Sequence, residues 1–169
     1  MPFSEATKGK NMEIAIIAHD AKKELMVQFC IAYCGVLAKH HICATKATGK
    51  MVSDATGLEI EQLLPGRQGG IDQIMSRIAY NEIDILLYFR DNNTTADFNE
   101  LLTDSDLVRE CDIHNTPVAT NIATAETIIC ALERGDLDWR QFVNPKSEYN
   151  RQRREASMLP KWKKQTERK

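Results

Sequence analysis

Three stretches of this 169-residue chain carry side chains whose types and spacing could do chemistry. The first is His19-Asp20 with Lys23, which brings an imidazole, a carboxylate and an ammonium together. The second is the run Thr45-Lys46-Ala47-Thr48-Gly49, rich in hydroxyls, small residues and main-chain donors. The third is Arg90-Asp91. Carboxylates and imidazoles move protons at ordinary pH. An ammonium and a turn of exposed N–H groups hold an anion such as phosphate. Each feature also has a plain structural use, since Asp20 and Asp91 could cap the turns that follow them and Thr45 could cap a helix.

The elements that must position these groups follow from the apolar pattern. Ile14 to Ala18 is a short apolar run without alternation, which predicts a strand buried on both faces, as in a parallel sheet. It ends at His19-Asp20 and delivers them to the sheet's carboxyl edge, where open α/β folds bind ligands. Apolar residues at 25, 26, 29, 30, 33, 36 and 37 predict one helix over Ala21 to Lys39. Ile42 to Ala44 reads as a second strand, and the Thr45–Gly49 turn opens a short helix toward Ala55. Pro65 to Gly70 is too glycine-rich for regular structure. Ile71, Ile74, Met75 and Ile78 form the face of a helix ending near Tyr80-Asn81. Ile83 to Phe89 is the strongest strand and delivers Arg90-Asp91. Asn92 to Asp106 reads as a long polar loop, Leu107 to His114 as a helix, Pro117 to Ala119 as a last strand, and Asn121 onward as a helix to Glu133. Strands alternating with helices predict an α/β, three-layer, doubly wound, mainly parallel sheet of the Rossmann or flavodoxin kind.

Composition removes several function classes. No apolar run approaches the roughly 20 residues of a membrane helix, and Met1 to Asn11 lacks the apolar core of a signal peptide. A flexible arm over residues 1–11 and a cytoplasmic chain are expected. The five cysteines form no CxxC pair, so neither a zinc site nor a disulfide framework is expected, and no metal is assigned. The net charge of −2 hides an asymmetry: residues 146–169 carry nine Lys/Arg against three Glu, a net +6, leaving −8 on the remainder. This basic extension offers Tyr149 and Trp162 for stacking, too little to make nucleic acid an expected partner.

Taken in order, Ile17-Ala-His-Asp20 with Lys23, Ala44-Thr45 with Thr48-Gly49, Ala55-Thr-Gly57, Gly66, Gly69-Gly70, Phe89-Arg-Asp91, Pro117-Val-Ala-Thr-Asn121 and Ala123-Thr-Ala125 resemble the methylglyoxal synthase family. The resemblance covers about Met12 to Asn144 and sets a domain over residues 12–145, with 146–169 as an extension. More distantly, the chain is similar to the ligand-binding regulatory domain of carbamoyl-phosphate synthetases. The resemblance implies conversion of dihydroxyacetone phosphate to methylglyoxal and inorganic phosphate through an enediol phosphate, with no cofactor, in a homo-hexamer. It implies substrate and phosphate contacts at His19, Lys23, Thr45, Lys46, Ala47, Thr48, Gly49, Pro65 and Gly66, and site aspartates at Asp20 and Asp91. The chain departs from the family pattern in four places. Lys46 and Ala47 stand where the family has Gly and Thr, and Pro65 replaces a serine. Ile71 occupies the position of the proton-abstracting aspartate, with Asp72 one residue later as a candidate base. No histidine follows Asp91 in the loop, where the family position falls at about Phe98. The alternative function is phosphate-metabolite binding without turnover.

Overall fold

The computed structural model describes residues 11–91 and 98–160. Five strands form one all-parallel sheet in the order β3-β2-β1-β4-β5, with β1 Glu13–Ala18, β2 His41–Ala44, β3 Ile60–Gln62, β4 Ile85–Phe89 and β5 Val118–Ala119. The chain winds outward from β1 through β2 to β3, then returns to lay β4 against the other side of β1. Register pairs Ile14 with Ile85 and Ala18 with Phe89, so β1 and β4 end side by side. That junction is the point where strand order reverses, the usual place for a ligand crevice in an open α/β sheet.

Strand alternation feeds two cores. Ile14, Ile16 and Ala18 with Ile85, Leu87 and Phe89 point to one face. There they meet Met26, Phe29 and Cys30 of α1 (Lys23–Ala32), Leu37 of α2 (Cys34–Leu37), Val52 of α3 (Lys46–Thr56), and Ala125, Ile129 and Leu132 of α6 (Ile122–Arg134). Ala15, Ile17, Leu86 and Tyr88 point to the other face, against Ile74 and Ile78 of α4 (Gly70–Ala79) and Leu107 and Cys111 of α5 (Phe98–Ile113). Helices on both faces complete the doubly wound, three-layer fold expected from the sequence. Both faces of β1 and β4 are covered, which is why their residues run apolar without alternation.

Three element boundaries differ from the sequence reading. The helix expected over Ala21 to Lys39 opens with a 3-10 turn at Asp20–Lys22 and breaks at Tyr33, where Gly35, a poor helix former, follows. Of the expected loop from Asn92 to Asp106, residues 98–106 are helical and 92–97 lie outside the described residues. The first half of α5 leaves Leu101 and Leu102 exposed, so no apolar period marks it in the sequence. The strand read over Ile83 to Phe89 starts at Ile85. Ile83 and Asp84 are buried ahead of it in a bridge between elements.

That bridge ties the C-terminal segment to the sheet. Arg140 is wholly buried on α7 (Arg140–Val143) and donates from Nε to Asp84 at 3.2 Å, from one terminal nitrogen to Ile83 O at 2.8 Å and from the other to His114 O at 3.4 Å. Asn144 donates to both Asp84 oxygens at 3.1 Å. Asp84 also accepts the Glu13 N–H at 2.9 Å. Beyond this anchor, α8 (Glu148–Met158) is capped by Ser147 and buries no residue. All five cysteines are free. Burial pushes the thiols of Cys30, Cys43 and Cys111 up to about 12, which keeps them protonated and unreactive. Among the described residues no helix is long and apolar enough to cross a membrane.

Candidate functional site

The site is built where β1 and β4 end. His19 follows β1 directly, and its N–H donates to Phe89 O at 3.0 Å, continuing the ladder one residue past the strand. Its extended backbone (φ −61°, ψ 155°) then turns the chain into the 3-10 turn. The ring is fixed at both nitrogens. Nδ1 accepts the Asp91 N–H at 2.9 Å, and Nε2 lies 3.0 Å from the Tyr88 hydroxyl. Tyr88 in turn donates to Asp104 of α5, whose second oxygen is 3.5 Å from His19 Nε2. Burial first, and then the Asp104 carboxylate, raise the Tyr88 pKa well above the ordinary phenol value, so Tyr88 stays a donor.

Lys23 reaches back from the first turn of α1. Its ammonium donates to Ala18 O at 2.7 Å and lies 3.2 Å from Asp20, whose own side chain is almost fully exposed. Two of three ammonium protons are thereby engaged at the end of β1, which leaves one for a ligand. The charge is anchored at the sheet edge.

The hydroxyl-rich turn sits at the start of α3, with Thr45 as N-cap. The Thr45 side chain makes no capping bond, and Thr48 is buried with its Oγ1 lacking any partner. A buried hydroxyl with no acceptor is uncommon in a native protein, and Thr116 is the other described threonine in that state. Lys46 and Ala47 are exposed on the same turn. Gly49 has a different reason for its size: a Cβ there would sit 3.2 Å from Gln62 and 3.3 Å from Ala44, so it lets α3 pack onto β2 and β3.

The loop before α4 completes the arrangement. Gly66 lies beside both Thr45 and Ile71, at 3.8 and 3.6 Å from where its Cβ would be. Pro65 lacks an N–H, but its carbonyl accepts from Gln68 and Gly70 at 2.9 and 3.0 Å and so shapes the turn. Gly69 takes φ +106°, and a Cβ on Gly70 would overlap the Leu64 carbonyl, so both positions exclude other residues. Gln73 accepts the Leu64 N–H at 2.9 Å, while Ile74 and Ile78 are buried. These contacts fix the register of α4. Ile71 is half-buried and packs toward the second core, and Asp72 is exposed in the first turn of the helix.

The structure therefore brings His19, Lys23, Asp20 and Asp91 together through bonds at the strand ends, and Thr45 and Gly66 through contact. It places Asp72 at the surface of α4. Trp162 of the extension lies outside the described residues. Tyr88 and Asp104 were not singled out from the sequence. The signal for Tyr88 was available, since a tyrosine inside a doubly buried strand must find a hydrogen-bond partner. Nothing comparable marked Asp104, which lies in the stretch read as loop. Arg90 has its N–H on Thr120 O at 3.4 Å, with Nε buried and unpartnered. Among the described residues no group of three or more His, Cys, Asp or Glu is placed to hold a metal ion.

Comparison with known proteins agrees with this architecture. No protein-family model matches the chain. It is 55% identical over 144 residues to the methylglyoxal synthase of Caldicellulosiruptor saccharolyticus, covering 83% of this chain and 98% of that protein. It is 47% identical over 137 residues to that of Oceanobacillus iheyensis, covering 81% and 96%. The crystal structure of methylglyoxal synthase from Elizabethkingia anophelis NUHP1 superposes with a TM-score of 0.63 at 34% identity, over 70% of this chain and 77% of that one. With a sheet that reverses at β1 and β4, a lysine and two threonines at its carboxyl edge, and more than half the residues of a full-length relative, the chain belongs to the methylglyoxal synthase family.

Proposed function

We propose that this chain is a lyase that converts dihydroxyacetone phosphate to methylglyoxal and phosphate. The observation that carries this reading is the buried, unpartnered Thr48 hydroxyl in the first turn of α3. A phosphate oxygen is the acceptor that such a donor fits, with the positive end of the helix dipole behind it. Lys23, Thr45, Thr48 and the main chain of Lys46, Ala47 and Gly66 hold the phosphate in this reading. A carboxylate removes a carbon-bound proton, the resulting enediolate expels phosphate by C–O cleavage, and the enol product tautomerises to methylglyoxal. Asp91, bonded through its N–H to His19, is the favoured base. Asp20 and Asp72 are the other candidates. The same reading makes inorganic phosphate a ligand, residues 12–145 the acting domain, a homo-hexamer the assembly and the cytoplasm the compartment.

One observation favours a second reading. Ile71 stands at the family's base position and packs beside Gly66, while Asp72 is exposed. Binding groups are retained and the proton-abstracting carboxylate is displaced, as in a phosphate-metabolite-binding protein without turnover. One experiment separates the two. Purified full-length chain is incubated at high concentration with dihydroxyacetone phosphate and assayed for methylglyoxal and phosphate, alongside thermal melting with and without phosphate compounds. Product formation supports the lyase. Stabilisation without product supports the binding protein, and neither response sinks both.

A further inference from the structure

We infer that Tyr88 and Asp104 are positioning residues that hold His19, and through it the main chain of Asp91, in one geometry at the reversal of strand order. Hydrogen-bond polarity carries the inference from both ends of a four-member chain. At one end, the Asp91 N–H can only donate, so His19 Nδ1, 2.9 Å away, must be bare. A neutral imidazole with a bare Nδ1 carries its proton on Nε2. At the other end, an ionised carboxylate can only accept, so the Tyr88 hydroxyl proton is committed to Asp104. The Tyr88 oxygen is then left to accept from His19 Nε2–H at 3.0 Å. Each proton of the chain has an acceptor and the direction runs His19 to Tyr88 to Asp104, whose second oxygen also lies 3.5 Å from His19 Nε2.

The four members come from four different places. His19 follows β1, Tyr88 lies inside β4, Asp104 is on α5 and Asp91 lies two residues past β4. The imidazole sits edge-on to the phenol, at 84° and 5.5 Å between centroids, so it can rotate only by breaking this contact as well. Asp20 and Lys23 flank His19 on its own segment, while Arg90, just past the end of β4, and Glu100 of α5 act on Tyr88. With both ring nitrogens engaged, His19 serves here to set where Asp91 stands. Its partners keep a reacting group within the few tenths of an ångström that proton transfer tolerates. The kinetic consequence rests on the proposed lyase reaction; the hydrogen-bonded chain does not.

The test reads the imidazole directly. Two-bond proton–nitrogen spectra of the uniformly labelled full-length chain resolve the ring nitrogens, with His19→Gln assigning the signal. The expected parent spectrum has one tautomer, bare at Nδ1, with an Nε2 proton protected from exchange. Tyr88→Phe and Asp104→Ala should lose that protection. Asp104→Asn should restore it, because an amide oxygen still accepts the Tyr88 hydroxyl. With dihydroxyacetone phosphate, Tyr88→Phe should lower kcat about ten- to a hundredfold with KM nearly unchanged. A protected Nε2 proton in Tyr88→Phe, a mixed tautomer in the parent, or an Asp104→Asn spectrum as damaged as that of Asp104→Ala would each overturn the inference. If Tyr88→Phe fails to fold, the two Asp104 variants on the helix decide it. A parent without turnover would refute the lyase reaction while leaving the spectra to judge the positioning role.

Discussion

Restoring a carboxylate at position 71 gives the sharpest test of how this site works. Ile71→Asp puts the acid where the family carries its base, beside Gly66 and Thr45. Folding should survive the change. Fully burying an isoleucine is worth about 1.5–3 kcal/mol, and Ile71 is only half-buried, so the lost packing amounts to about 1–1.5 kcal/mol. Position 71 lies in the first turn of α4, where a negative charge gains about 0.3–1 kcal/mol from the helix dipole. The net loss of about 0–1 kcal/mol lowers Tm by at most roughly 3 °C for a chain of this size. A correctly placed general base contributes about 10²- to 10⁴-fold to the rate, so kcat for methylglyoxal formation should rise by at least the lower factor. Ile71→Asn, with the same shape and no basic oxygen, should give no rise. The assay is methylglyoxal and phosphate release from dihydroxyacetone phosphate, with melting curves to confirm folding. An Ile71→Asp protein that melts within a few degrees of the parent and turns over no faster would refute the placement of the reacting carbon beside position 71. Asp72→Asn supplies the converse: an unchanged kcat excludes Asp72 as the base.

Thr48→Val removes a buried hydroxyl that has no partner and keeps the shape. The ligand-free protein should melt higher, by up to about 1–3 kcal/mol of relieved desolvation, while stabilisation by added phosphate shrinks; an unchanged phosphate response would remove Thr48 from the cradle. Arg140→Met leaves the buried Asp84 charge with only the Glu13 amide and Asn144, and should cost about 3 kcal/mol, seen as a Tm drop of roughly 10 °C; a drop under about 3 °C would mean the anchor contributes little. Glu61 is held below its ordinary carboxylate value of 4.5, first by the hydrogen bond from Arg77. A depressed folded-state value gives stability that is present above the unfolded value and lost as pH falls below it. The Tm gap between the parent and Arg77→Met should therefore be fullest near neutral pH and narrow as pH falls below 4.5, and a gap that does not narrow in acid would contradict the pairing.

The strand pattern was legible because β1 and β4 are covered on both faces: Ile14–Ala18 and Ile85–Phe89 have no solvent side to break their apolar runs. The carboxyl-edge placement of His19 and Asp91 followed from that, since His19 stands directly after β1 and Asp91 two residues after β4. The helix from Phe98 was not legible, because its early leucines face outward and Glu100 pairs with a distant residue, Arg67 in the turn before α4, at 2.6 Å. The Tyr88–Asp104 contact was hidden for the same reason, being a pairing across 16 residues into a segment that carried no period.

Whether the first turn of α4 could shift by one residue and bring Asp72 inward is a question the sequence poses and packing answers. A shift would seat Ile71 where Gly70 now lies, and even a methyl group there meets the Leu64 carbonyl. It would also draw Gln73 off the Leu64 N–H and pull Ile74 and Ile78 out of the core. On a helix one residue turns a side chain by about 100°, so with register fixed Ile71 and Asp72 look in different directions. Between Asp72 and Asp91, proton abstraction then falls to the strand ends, where Asp91 is tied to His19, or requires local unwinding ahead of Gln73. The first route predicts that Asp91→Asn alone abolishes turnover while phosphate still stabilises the fold. If Asp91→Asn keeps its kcat, the strand-end route fails.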